Sequence, residues 1–95
     1  MYAVIFTHAG KKDLKRLPRE VSAYIKSEFL PKLKVNPYCG EKLQGVLKNF
    51  WKLRFKLNNI NYRIIYEIYR KKLLTVVVKV GTRENIYKEL RKRIK

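Results

Sequence analysis

Residues 51–69 read "WKLRFKLNNINYRIIYEIY", and their periodicity decides the fold. Trp51, Leu53, Phe55 and Leu57 alternate with Lys52, Arg54 and Lys56. Period-two alternation marks a strand with one buried and one exposed face, because successive side chains leave a pleated backbone on opposite sides. "NNIN" carries turn residues, and "YRIIYEIYR" continues as a second strand. It places Tyr62, Ile64, Tyr66 and Ile68 on one face and Arg63, Ile65, Glu67 and Tyr69 on the other. The run of three cations contains no carboxylate to balance it. Such a face is either merely solvated or built to hold something anionic.

Outward from this hairpin, the first strand extends back to about residue 46. "KK" turns into a third strand, "LLTVVVKVG". Alternation there predicts Leu74, Val76, Val78 and Val80 opposite Thr75, Val77, Lys79 and Arg83. Upstream, "YAVIF" has strand composition and Thr7 stands where a helix N-cap is useful. Leu14, Leu17, Val21, Ile25 and Phe29 recur at spacings of three and four, which is one apolar helix face. Pro18 is placed to start a second helix. The expectation is a helical hairpin, 11–17 and 18 to about 35, with Pro31 kinking or shortening its second arm. "NPYCGEKLQG" is loop chemistry. Thr82 can cap a closing helix, "RENIYKELRKRIK", with Ile86, Leu90 and Ile94 in a stripe.

The order β-α-α-β-β-β-α predicts an α+β fold, a single domain over 1–95, with a helical hairpin packed on an antiparallel sheet. The hairpin covers one sheet face. Lys52, Arg54, Lys56, Arg63 and Arg83 then converge on the other as a concave basic patch.

Composition points the same way. The chain has 24 Lys and Arg against 7 Asp and Glu, a net charge of +17. That self-repulsion favours a polyanion or an acidic partner. Cys39 is the only cysteine and His8 the only histidine, so no internal disulfide is possible and a structural zinc site is not expected. The opening "MYAVIFTHAG" does not read as a signal peptide, and no apolar run has the length of a membrane span. A cytoplasmic protein without membrane contact is the expectation.

Hydrolase signatures such as GxSxG, a phosphate-binding Walker loop and HExxH are missing. The seven carboxylates form no close group suited to magnesium, so neither metal nor cofactor is expected. A metal-free ribonuclease remains open, since RNA carries its own nucleophile in the 2′-hydroxyl. Its base must then be a lysine, Lys52 or Lys56, whose affinity for protons neighbouring cations have to lower. Arginine holds phosphate oxygens in a fork. Tyr87 offers a ring for stacking on a base.

The stretches "NPYCGEKLQG", "FWKLRFKLNNINYRIIYEI" and "VVVKVGTRENIYKEL", in this order, resemble the RelE/ParE toxin superfamily, and within it the RelE-like messenger-RNA endoribonucleases. The resemblance runs from "KKDLKRLP" through "NIYKEL". It implies a toxin of a type II toxin–antitoxin pair that enters the ribosomal A site and cleaves messenger RNA, leaving a 2′,3′-cyclic phosphate and a 5′-hydroxyl. Lys52 matches the family's proposed general base. Arg54 stands where many members have a second lysine and would stabilise phosphate charge. Arg63 in "YR" matches the arginine on the scissile phosphate, Arg83 in "GTRE" the one assigned to the leaving group or transition state, and Tyr87 the base-stacking tyrosine. The step from Arg83 to Tyr87 is shorter than in some members. Lys56, Lys79 and Arg91 are further cations expected to contact RNA. The implied partners are the ribosome, its messenger and a cognate acidic antitoxin, in a complex that can be a heterotetramer. The antitoxin would dock by a helix in a groove or a strand on an edge. Two alternatives stand beside this: a ParE-like gyrase inhibitor, and a basic RNA-binding module without catalysis.

Overall fold

The computed structural model describes residues 1–82 and 86–93. Its elements are β1 (Ala3–Phe6), α1 (His8–Arg16), α2 (Arg19–Tyr24), a π-helical turn (Ile25–Phe29), α3 (Leu30–Val35), β2 (Glu41–Lys42), β3 (Phe50–Leu57), β4 (Ile60–Tyr69), β5 (Leu74–Thr82) and α4 (Ile86–Arg93). The sheet order is β1-β5-β4-β3-β2. It is antiparallel except at one edge, where β1 runs parallel to β5. Together these elements make the expected α+β fold.

The hairpin read from residues 51–69 forms as its alternation requires. Leu57 pairs with Ile60, and Asn58 and Asn59 close the turn with φ of 52° and 64°. Positive φ at both central residues matches the right-handed twist of the strands, and asparagine tolerates it. Thr7 caps α1, accepting a hydrogen bond from the Gly10 N–H at 3.0 Å. The arm after Pro18 runs through α2, the π-turn and α3. Pro31, expected to kink it, follows directly on the wide turn, where Leu30 N–H reaches back to Ile25 C=O. A proline without an N–H is accommodated by such local widening.

One sheet face packs on these helices. Val21, Ile25, Phe29 and Leu33 meet Tyr62, Ile64, Tyr66, Val77 and Val80. Each fully buried aliphatic side chain contributes about 1.5–3 kcal/mol. Phe55 lies 5.2 Å from Tyr62 in a stacked pair and 4.7 Å from Phe29, so the β3–β4 hairpin is fastened to the helices from behind its cationic face.

Two expectations are corrected. The first strand begins at Phe50, since residues 45–47 form a 3-10 turn. The faces of β5 exchange midway: Val77 pairs with Tyr66 and Lys79 with Ile65, leaving Val78 as the extra residue of a β-bulge. Val80 therefore joins Val77 on the helix face, while Val76 and Val78 lie on the other. The expected cap at Thr82 falls beside residues 83–85, outside the described residues; Thr82 is the last residue of β5, and the described part of α4 is Ile86–Arg93.

The second face is not left bare. Leu43, Leu47, Phe50, Ile65, Val78 and Leu90 form a smaller core there, joined by Tyr87. This packing sets α4 beside the cationic strands. Ile94, the last residue of the predicted stripe, lies outside the described residues.

Candidate active site

Lys52, Arg54 and Lys56 project from β3 on the face away from the helical hairpin, and Arg63 projects beside them from β4. Their placement follows from register. Arg54 is paired with Arg63, Lys52 with Ile65 and Lys56 with Asn61. Like charges directly opposite on adjacent strands are destabilising. The two guanidinium groups are held by different partners. Arg54 bonds the Glu41 carboxylate at 2.9 Å, and Arg63 donates to the Tyr87 hydroxyl. Glu41 arrives on the two-residue β2, paired with Lys52, and is the carboxylate that the cationic run itself lacks.

Tyr87 is the centre of the arrangement. Its hydroxyl accepts from both Arg63 and, at 3.4 Å, Lys52 Nζ. Its ring lies 5.3 Å from the Arg63 guanidinium and 5.9 Å from the Lys52 ammonium. Leu90, three residues further along α4 and fully buried, fixes this position. Lys52, Arg63 and Tyr87 are all half-buried, whereas Arg54 and Lys56 are exposed. Beside them a cleft of about 420 Å³ is lined by Arg54, Lys56 and Arg63 with Phe55, Asn61 and Tyr62. An arginine fork and a lysine around one oxygen, with Arg54 across the strand pair, are a setting for a phosphate group.

The floor of this site is pinned by "NPYCG". The Asn36 side chain accepts from Tyr38 N–H at 3.1 Å. Tyr66 Oη donates to the Pro37 carbonyl at 2.6 Å. Burial pushes the Tyr66 phenol well above its ordinary value, so it stays a donor. Gly40 passes so close to the Lys52 carbonyl that no side chain fits between them.

Not every expected residue joins the site. Arg83 lies outside the described residues. Arg91 is exposed on α4. Lys79, expected among the RNA contacts, is buried instead: its ammonium bonds Asp13 at 3.4 Å and also Glu89. Asp13 accepts from Val80 N–H as well, at 3.1 Å, at the edge of β5 that β1 does not reach. Lys79 thus ties α1 and α4 to the sheet, and its charge is not offered to a ligand.

Residues 4–91 match the family described as ParE-like toxin of type II bacterial toxin–antitoxin system. The chain belongs to this family. A curated relative, the mRNA interferase toxin RelE of Escherichia coli, is 27% identical over 98% of this chain and 97% of its own. Among solved structures, the isolated E. coli RelE toxin is 28% identical with TM-score 0.71, covering 100% of both chains. A chain of the RelBE2 toxin–antitoxin complex of Mycobacterium tuberculosis is 26% identical with TM-score 0.77, over 86% of this chain and 91% of that one. This ParE-like toxin therefore shares both its helices and its five-stranded sheet with RelE structures. Among its described residues no helix is long and apolar enough to cross a membrane.

Proposed function

We propose that this toxin is a ribosome-dependent endoribonuclease that cuts messenger RNA in the A site and so halts translation in the cytoplasm. The observation that carries the reading is the convergence of Lys52 and Arg63 on one oxygen, the Tyr87 hydroxyl, with Arg54 directly across the strand pair. A phosphate oxygen entering there takes over the donors that Tyr87 now holds. The likeness to proteins named mRNA interferase supports the substrate class.

In this mechanism the 2′-hydroxyl oxygen attacks the neighbouring phosphorus while Lys52 Nζ accepts its proton. The new O2′–P bond forms as the P–O5′ bond breaks. Arg63 and Arg54 neutralise the charge that builds on the crowded phosphate, where preorganised donors act most strongly. The 5′-oxygen leaves with its negative charge met by Arg83, the residue assigned to it, and takes its proton from water. Tyr87, released from the cations, stacks on the exposed base. Lys56 and Arg91 hold flanking phosphates. A cognate acidic antitoxin, in a complex that can be a heterotetramer, would offset the +17 charge and shield the patch.

The test is product chemistry in a translating extract. Wild-type protein should leave 2′,3′-cyclic phosphate ends, and Arg63→Ala should leave far fewer. Inhibition of gyrase supercoiling with intact messenger would instead assign the chain to the ParE-like alternative. Binding to RNA without cut ends would leave a basic module with no catalysis.

A further inference from the structure

We propose a second RNA contact, an aromatic and basic cleft that takes one unpaired nucleotide at one end of the sheet. It occupies about 430 Å³ at the start of β3 and the end of β4. Tyr38, Trp51 and Tyr69 supply rings, and Lys42, Lys48 and Arg70 supply charge. Lys42 pairs with Trp51, so both side chains share the face opposite the candidate catalytic lysine, while Glu67 and Tyr69 follow Ile65 onto the lysine's own face and the cleft wraps the end of the sheet. The proposed cleavage does not use these residues.

Two features point to a nucleotide. Tyr38 and Trp51 meet edge to face, at 85° with centroids 5.4 Å apart, so each ring holds the other in place and a planar base can stack on an outer face of the pair. The three cations outnumber Glu67, the carboxylate in the cleft, and that carboxylate accepts from the Tyr69 hydroxyl at 3.3 Å. An acidic peptide would pair with the cations but leave three rings without a use. Single-stranded RNA uses both, since stacking on aromatic rings and a cationic track for the backbone are how such strands are held.

The choice of RNA rests on the RNA-directed reading above, but the readout does not. Trp51 is the only tryptophan, so its fluorescence reports directly on stacking in this cleft. Hexaadenylate RNA should quench it saturably, in the wild type and equally in Arg63→Ala. Tyr69→Ala should weaken this binding about 5-fold to 150-fold, the worth of one stacked base. Lys48→Gln with Arg70→Gln should reduce the salt dependence, lowering the log–log slope by about 0.7 per lost contact. The proposal is overturned if Arg63→Ala abolishes the quenching, or if both cleft variants leave it unchanged. It is equally overturned if inorganic tripolyphosphate quenches as well as RNA, or if hexaglutamate quenches and RNA does not. An inactive protein that still binds RNA at Trp51 would sink the nuclease reading alone; an active one without quenching would sink the cleft alone.

Discussion

Gly40→Ala should unfasten the floor of the candidate site. The backbone at Gly40 has φ −85°, which any residue adopts, so the demand for glycine there is one of space. A methyl group would lie 2.4 Å from the Lys52 carbonyl oxygen and 2.4 Å from the Tyr66 hydroxyl. Ordinary contact begins near 3.4 Å, so the loop must retreat by about 1 Å. That breaks the 2.6 Å hydrogen bond from Tyr66 to Pro37, and a buried hydroxyl left without its partner costs about 1–3 kcal/mol. The β2–β3 pairing and the Leu43 N–H to Phe50 C=O bond weaken too, at about 0.5–1.5 kcal/mol each. The expected loss is about 2–4 kcal/mol, or roughly 10–25 °C in Tm for a domain of this size. Urea unfolding followed through Trp51 measures it. Tyr66→Phe removes one of the two colliding groups, so the double variant should cost about 1 kcal/mol less than the sum of the singles. A Gly40→Ala protein of unchanged stability, or strictly additive costs, would refute the close-approach argument.

Three further expectations concern other parts of the molecule. Arg63→Ala should reduce cleavage about 10²–10³-fold, the scale of one lost transition-state donor, while circular dichroism and Tm show the fold intact. Asp13→Ala should cost about 3–5 kcal/mol in urea melts, because it strips the buried Lys79 of one carboxylate and Val80 N–H of its acceptor; Asp13→Asn should cost less, since an amide oxygen can still accept from Val80. Thr75→Val should raise stability by about 1 kcal/mol, because the fully buried Thr75 hydroxyl finds no hydrogen-bond partner among the described residues.

The parts of this fold that sequence reveals are those where polar and apolar residues alternate. Lys52, Arg54 and Lys56 mark the outer face of β3 because Trp51, Leu53 and Phe55 mark the inner one. Leu14 through Phe29 give the helices in the same way, and the asparagine pair gives the turn. In "TVVVKV" that contrast fails. Both faces of β5 are buried, one under the hairpin helices and one under α4, so period two has no polar residue to show where Val78 interrupts it. Lys79 accordingly looks like a free cation, and only the tertiary approach of Asp13 and Glu89 turns it into a buried tie. The parallel pairing of β1 with β5 is likewise silent, since strand composition does not encode direction. β2 is too short for any period, which hides the pairing of Glu41 with Arg54. The cationic site was legible because its residues sit on patterned strands; its carboxylate and the aromatic cleft at the sheet's end depend on contacts between segments far apart in the chain.

The most direct measurement is primer extension on a messenger in a translating extract with added protein, beside a lane holding the same RNA without ribosomes. The account predicts cuts at codon positions in the translating lane alone, and their loss with Lys52→Ala. Equal cutting of free RNA, or an intact messenger in both lanes, would contradict it.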